Sequence, residues 1–313
     1  MDMGNSPMRA LVFAYHNVGH ACLEVLINEG TEVIAVVTHE DDPREEIWFR
    51  SAADLARRNR IPVHTPSDVR TQAFIRWVES LKPDVIFSFY YRNMLPGEIL
   101  KIPRLGSMNM HGSYLPKYRG RCPVNWALIH GESETGVTLH DMVPKPDAGG
   151  IVGQKKIFIG PEDTARDLFD KITKASAELL SELLPLIREG RAPRIKQNEE
   201  DATYFGGRRP EDGRIDWSMS AKEIHNLIRA VTHPYPGAFT YLQGKKALIW
   251  KASPLNDPAG RPPGEVVSAA PFKVAAGRGA LQAQRVQREG DEEMDGEAFA
   301  EKYGVAPGTV LKE

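Results

Sequence analysis

Cysteine is almost missing: Cys22 and Cys122 are the only 2 thiols in 313 residues, too few and too isolated for a disulfide framework or a cysteine-based metal site. That scarcity fits a reducing cytoplasm. Long apolar runs are missing too, since none approaches the roughly 20 residues that a membrane-spanning helix requires. Met1 to Arg9 is polar, with Gly4, Asn5 and Pro7, and lacks the apolar stretch of a secretory signal peptide; it is expected to form a loose leader on a soluble chain. Neither sign of charge is in excess. With 40 basic against 42 acidic residues and a formal charge of −2, no global field draws the protein to nucleic acid or an anionic membrane. Internal repeats and low-complexity tracts are likewise absent.

What is present is ordinary globular material, 41% apolar and 26% charged, in a chain long enough for two domains. Ala10 to Tyr15 is an apolar strand run, followed by Val18, Cys22, Val25 and Leu26 at helical spacing. Glu32 to Thr38 repeats the strand signal, and Ile47 to Arg60 reads as a helix. Pro62 to Thr65 is a brief strand, Val69 to Leu81 a helix, Asp84 to Phe89 a further strand. This β-α alternation predicts a mostly parallel sheet covered by helices, with ligands at the carboxyl ends of its strands. Gly106 to Met110 and Thr135 to Met142 are two more strands, with a helix possible at Pro123 to His130 between them. Ile151 to Ile159 alternates and is expected at a sheet edge. Ala165 to Gly190 is one long amphipathic helix carrying Leu168, Ile172, Ala175, Leu179, Leu183 and Ile187 on one stripe, with Pro185 as a potential kink. From about Asp201 glycine and proline punctuate short segments. A helix at Ala221 to Val231 and strands at Phe239 to Leu242, Ala247 to Trp250, Gly264 to Ser268 and Phe272 to Ala275 predict a small β-barrel or sandwich.

The densest polar cluster runs from Asn109 to Arg121 after a predicted strand. Alternate residues of an extended chain share a face, so Asn109 and His111 should point together. A second polar loop, Val143 to Gly150, also follows a strand and carries Asp147. If the two strands are neighbours, Asp147 reaches His111 and can orient and stabilise its imidazole. An amine attacking an acyl carbon builds negative charge on oxygen and positive charge on nitrogen, and an Asn amide with a His supplies a donor for the one and an acceptor for the other. Bland readings compete: an Asn or His after a strand commonly forms turns, Asp147 can end a turn, and Arg119 with Arg121 can be a solvated basic pair. His111, His140 and Asp147 could be imagined around zinc, but no helical His-x-x-x-His pair or cysteine ligand supports that, and no metal is expected.

Asn109-x-His111-x-Ser113-x-Leu115-Pro116, then Tyr118-Arg119-Gly120, with Asp147-Ala148-Gly149 and Gln154 downstream, resembles the signature of the 10-formyltetrahydrofolate-dependent formyltransferases. The segments Phe13 to His16, Phe87 to Arg92 and Lys117 to Arg121 look like the branch acting on UDP-4-amino-4-deoxy-L-arabinose, in lipid A modification and polymyxin resistance. The likeness runs nearly end to end. That branch is often fused to a decarboxylating dehydrogenase, and this chain is expected to be a stand-alone transferase.

The resemblance implies a Rossmann-like α/β domain at residues 1–203 and a small OB-like β-barrel at 204–313. It implies Asn109, His111 and Asp147 as the catalytic group, and 10-formyltetrahydrofolate as the formyl donor. The donor would lie against Asn93, Met94, Leu95, Arg121 and the loop Val143, Pro144, Lys145, Pro146 and Asp147. Tyr15 and Arg119 are candidate substrate contacts, as are Arg208 and Arg209, a basic pair on a Gly-rich turn suited to a nucleotide diphosphate. Partners are therefore small molecules, a UDP-sugar and a folate, with no nucleic acid. Two departures stand out. Tyr114 replaces the family's usual Leu and is expected to reshape the nearby pocket. The turn Tyr15-His16-Asn17-Val18-Gly19 lacks G-x-G-x-x-G, so dinucleotide binding is not expected there. A methionyl-tRNA formyltransferase, one for another nucleotide-linked amino sugar, and a non-catalytic ligand sensor are the rival readings; the near-neutral charge and the lack of a basic insertion disfavour the first.

Overall fold

The computed structural model describes residues 7–43, 45–256 and 260–312; residues 1–6 of the expected leader lie outside the described residues. Elements run in the order β1 (Arg9–Ala14), α1 (His16–Asn28), β2 (Glu32–Val37), α2 (Ala52–Arg58), β3 (Val63–His64), α3 (Gln72–Leu81) and β4 (Val85–Phe89). Next come α4 (Gly97–Leu100), β5 (Ser107–His111), β6 (Arg119–Gly120), α5 (Pro123–Ile129), β7 (Glu134–Asp141), β8 (Ile151–Phe158) and α6 (Ala165–Arg188). The remainder holds β9 (Tyr204–Phe205), α7 (Ala221–Val231), β10 (Ala238–Leu242), β11 (Lys245–Leu255), β12 (Val266–Ala269), β13 (Phe272–Ala275), β14 (Ala280–Arg288), β15 (Met294–Asp295) and α8 (Gly296–Lys302).

Seven strands form one sheet in the order β3-β2-β1-β4-β5-β7-β8. The first five are parallel, whereas β5–β7 and β7–β8 pair antiparallel. This is the Rossmann-like α/β architecture, and β8 is an edge strand as its alternation predicts. Residues Ala10 to Ala14 are all fully buried, because helices cover both faces of a parallel sheet. Leu11, Phe13, Val37 and Ile86 join Ile75 and Val78 of α3 and Ile99 of α4 in one apolar cluster. The α6 stripe is buried as expected except Leu183, which is half-buried, and the helix continues through Pro185 to Arg188.

Among the boundaries that differ from expectation, three do so for clear local reasons. The helix predicted from Ile47 begins only at Ala52, where the Ser51 hydroxyl accepts from the Asp54 N–H at 3.1 Å and satisfies a first-turn donor. Trp48 and Phe49 instead pack their rings on His16, with centroids 4.5 and 4.1 Å away. Likewise α3 starts after Thr71, whose hydroxyl caps the Phe74 N–H. Gly106 has φ +93°, which cannot continue a strand, so β5 begins one residue late and takes in His111.

The chain forms two compact units. One comprises the described residues of Met1–Pro123 with Glu134–Phe158 and Phe169–Phe205; the other comprises Val124–Ser133, Ile159–Leu168 and the described residues of Gly206–Glu313. The linear division expected after residue 203 therefore misses two segments that join the second unit. There Asn125 Nδ2 donates to the Ala230 carbonyl at 2.7 Å, and Arg229 Nη1 donates to Gly160 O and Asp163 O at 3.2 and 3.0 Å. The second unit is built on an antiparallel sheet, β10-β11-β14-β13-β12, with β15 on β14. Its last described residues cross from one edge to the other, Lys312 pairing with Tyr241 and Val310 with Glu265.

Candidate active site

In the first unit β5 and β7 are neighbours, with Asn109 opposite His140 and His111 opposite Thr138. Asn109 and His111 thus share a sheet face with His140. His111 Nε2 lies 2.8 Å from the Tyr118 carbonyl, and His140 Nδ1 lies 2.8 Å from the Asp141 carbonyl. A carbonyl oxygen only accepts, so these two nitrogens carry the ring protons. The opposite nitrogens face the site. His140 Nε2 lies 3.2 Å from Asn109 Nδ2. His111 Nδ1 and His140 Nε2 lie 3.6 and 3.4 Å from the same oxygen, Oδ1 of Asp147.

Burial of Asp147 opposes its charge, yet the imidazoles of His111 and His140 beside it and the Gly120 N–H together hold its carboxyl well below the usual carboxylate range. The Gly120 N–H donates to Oδ2 at 2.8 Å. Gly120 itself has φ +97°, and a Cβ there would strike the Phe205 carbonyl, so only glycine delivers that donor. Asp147 adopts a left-handed φ of 52°, a conformation costing about 1 kcal/mol or more for a residue with a Cβ. Its backbone is held from outside the motif: Gln197 Nε2 donates to Asp147 O and Gly149 O, both at 2.7 Å. Arg119 fixes that amide by donating to Gln197 Oε1 from Nε and Nη2, at 3.0 and 2.8 Å.

The remaining signature residues hold the first loop. Ser113 Oγ donates to Lys117 O at 2.7 Å, and Thr138 Oγ1 donates to Ser113 O while accepting from Leu115 N–H. Gln154 Nε2 donates to Leu115 O at 2.8 Å. These bonds fold residues 113–118 back so that the Tyr118 carbonyl reaches His111. Gly149 packs where a Cβ would strike the Asp141 carbonyl, which explains the glycine after Asp147-Ala148.

A cleft of about 610 Å³ opens beside these groups, lined among others by Asn109, His111, His140 and Asp147. Of the residues expected around a folate, Asn93, Met94, Leu95, Arg121, Val143, Pro146 and Asp147 line it. Pro144 and Lys145 do not; Lys145 Nζ turns to Glu199 at 2.7 Å. Arg119, expected against substrate, is fully buried, and its guanidinium is taken up by Gln197, Glu199 and Tyr204. The Tyr15 hydroxyl donates to Asp41 Oδ1 at 2.9 Å, and burial followed by that hydrogen bond pushes its pKa up. Tyr114 does not shape the cleft: it is 37% exposed, with Lys156 Nζ over its ring at 5.5 Å. Arg208 and Arg209 belong to the second unit, where Arg208 stacks over Trp126 and donates to Asp212 O, and Arg209 is exposed.

Sequence reasoning singled out His140 only as a conceivable metal ligand, although the register of two paired strands places it opposite Asn109. Gln197, 50 residues beyond Asp147, carried no local signal. Among the described residues no group of three or more His, Cys, Asp or Glu side chains is arranged to hold a metal ion.

Known proteins share this arrangement of elements. An N-formyltransferase from Helicobacter canadensis, solved with folinic acid and dTDP-3-aminofucose, superposes with a TM-score of 0.69 at 23% identity over 90% of this chain and 100% of its own. HypX from Aquifex aeolicus, in complex with tetrahydrofolic acid, gives 0.65 at 19% identity over 95% of this chain, which spans about half (48%) of HypX. A methionyl-tRNA formyltransferase from Clostridium thermocellum gives 0.55 at 19% identity over 79% of this chain and 93% of its own. At such identities the likeness is one of fold. The family described as formyl transferase matches residues 8–184, and the formyl transferase C-terminal domain matches residues 208–304. Those two stretches cover most of the chain, and the protein belongs to the formyl transferase family.

Proposed function

We propose that the protein transfers a formyl group from 10-formyltetrahydrofolate to the amine of a nucleotide-linked amino sugar, with Asn109, His111 and Asp147 as the catalytic group. One observation carries the chemistry: in a buried corner of the cleft, the proton-free nitrogen of His111 faces an ionised Asp147 with an amide donor alongside. The neutral sugar amine attacks the formyl carbon, and a proton passes from its nitrogen to His111 Nδ1. His111 Nε2–H is committed to Tyr118 O, so Nδ1 is the nitrogen left to act as base. Asp147, a carboxylate held too acidic to take the proton itself, stabilises the imidazolium across 3.6 Å. An N–H of Asn109 supports the oxyanion. Collapse of the tetrahedral intermediate breaks the bond to N10 of the folate, which recovers the proton from His111, giving the formamide and tetrahydrofolate.

The cleft suits a folate in size and in its mixture of apolar walls, Met94, Leu95 and Val143, with polar groups at one corner. The neighbours with bound folates and with a dTDP-amino sugar support the same ligand classes. For the acceptor we favour UDP-4-amino-4-deoxy-L-arabinose, in a cytoplasmic step of lipid A modification, on the segments Phe13 to His16 and Lys117 to Arg121. The test is a turnover assay with 10-formyltetrahydrofolate and, in parallel, that sugar nucleotide, a dTDP-3-amino sugar and charged initiator tRNA. Formylation of the UDP-sugar at the highest kcat/KM is expected. Preference for the dTDP-sugar overturns the sugar assignment, and formylation of tRNA alone overturns the acceptor class.

A further inference from the structure

We propose that His39 is a positioning residue for the formyl donor, its Nε2 holding the loop whose next residues line the cleft. The proposal rests on the reading of Asn93, Met94 and Leu95 as donor contacts. Those three residues lie between β4 and α4, in a stretch without regular secondary structure. Tyr90 follows β4 with a left-handed φ of 59°, so the chain leaves the sheet before it reaches them. The strand ladder therefore does not hold this loop.

What holds it is a side chain from just beyond β2. The Arg92 N–H donates to His39 Nε2 at 3.0 Å. A backbone amide can only donate, so this nitrogen carries no proton and the ring proton sits on Nδ1. Tyr91 stacks on the imidazole with centroids 4.1 Å and planes 13° apart, and Tyr15 meets it edge-on at 5.3 Å, which together set the plane of the ring. Burial and then the Arg92 guanidinium push the His39 pKa down to about 4, so the acceptor is kept at neutral pH. The guanidinium is held in turn by Glu45, at 2.8 and 2.7 Å. Backbone and side chain of Arg92 are thus both tied to the segment that follows β2, and Asn93 to Leu95 start from a fixed point. A loop that adopts its binding conformation only part of the time binds its ligand more weakly by that fraction.

Two substitutions separate the acceptor from the ring. His39→Gln puts an oxygen near the place of Nε2 but loses the stack on Tyr91, whereas His39→Phe keeps a stacked ring and loses the acceptor. In His39→Phe the dissociation constant of tetrahydrofolate, read by titration calorimetry, and the KM for 10-formyltetrahydrofolate are expected to rise about 3- to 10-fold, the range of one net hydrogen bond. Its kcat at saturation should stay within about twofold. His39→Gln should keep both constants within about twofold of the parent. A role in packing alone predicts the reverse order, with Phe close to the parent and Gln impaired; that result overturns the proposal, as does a loss confined to kcat. Should His39→Phe fail to fold, His39→Leu takes its place, and a packing role then predicts equal losses for Leu and Gln. A crystal structure of the parent with tetrahydrofolate is the control: a folate lying away from residues 93–95 overturns the donor assignment and this proposal together. A folate against those residues, with an unchanged constant in His39→Phe, overturns only the proposal.

Discussion

Arg229 in the second unit and His111 in the first are both buried polar side chains, and their hydrogen bonds are arranged in opposite ways. Arg229 donates from Nε to Asn226 and from Nη1 to two carbonyls, and elsewhere in the unit Trp217 Nε1 donates to Thr240 Oγ1, which itself donates to Lys312 O. Each of these groups is matched within the unit. In the first unit His111 and Asn109 are each bound on one side and turned toward a cleft on the other. Matched networks hold a fold, because an unpaired buried polar group costs roughly 1–3 kcal/mol. Groups fixed on one side and left with capacity on the other are positioned for a ligand. Arg119 shows that the contrast follows the bonding and not the location: it lies in the signature segment, yet it is saturated and acts on Asp147 only through Gln197.

The largest effect that would break this contrast is on turnover. Asn109→Ala should lower kcat on the order of 100- to 1,000-fold while shifting thermal stability little, and His111→Ala should lower it as much while also costing about 1–2 kcal/mol by leaving the Tyr118 carbonyl without its donor; steady-state kinetics with unfolding curves checks both. Arg229→Met should do the reverse, costing roughly 3 kcal/mol of stability by leaving Asn226 and two carbonyls without their donor, with kcat unchanged in the folded enzyme. A lost kcat at intact fold would show that a saturated network can also serve chemistry.

Asp147→Asn tests the acid member by pH. The folded carboxyl is depressed below the unfolded value of about 4, so its ionisation stabilises the fold fully above that value and loses the contribution as pH falls below it. The stability gap between parent and Asp147→Asn in denaturant titrations should therefore be widest near neutrality and close on acidification. A gap that grew in acid would reverse the assignment. A smaller effect is expected from Gln197→Leu, which frees the backbone of the Asp147 loop and should cost about 1–2 kcal/mol of stability with a loss of about tenfold in kcat. Smallest of all, Arg209→Ala should alter stability by less than about 0.5 kcal/mol. A rise in the KM for the sugar nucleotide, without change in kcat, would bring the second unit into substrate binding.

Much of the sheet was legible because its pattern is local. Runs such as ALVFA and VIFSF are buried on both faces and read as strands without ambiguity. The strand β14 was not, because Ala280 to Arg288 alternates small and polar residues whose inward set, Leu281, Ala283 and Val286, is defined only by the partners β11 and β13. The helix predicted from Ile47 was too long because Trp48 and Phe49 carry the right periodicity but pack on His16 and Phe169 instead. In the site, the two-residue spacing of Asn109 and His111 revealed a shared face, since strand periodicity is a property of the backbone alone.

What the sequence determined by itself, then, was the identity of the polar groups, the strand that carries two of them and the family signature around them. Tertiary structure alone decided which nitrogen of each histidine faces the site, because that choice belongs to the Tyr118 and Asp141 carbonyls. It also placed two imidazoles and the Gly120 N–H around Asp147, which hold its carboxyl below the usual carboxylate range against the opposing effect of burial. Arg119 was moved from ligand to scaffold by Gln197, Glu199 and Tyr204, about 80 residues further along the chain. Hydrogen-bond capacity is a property of residue type, but whether it is used up depends on neighbours that only folding brings within 3 Å.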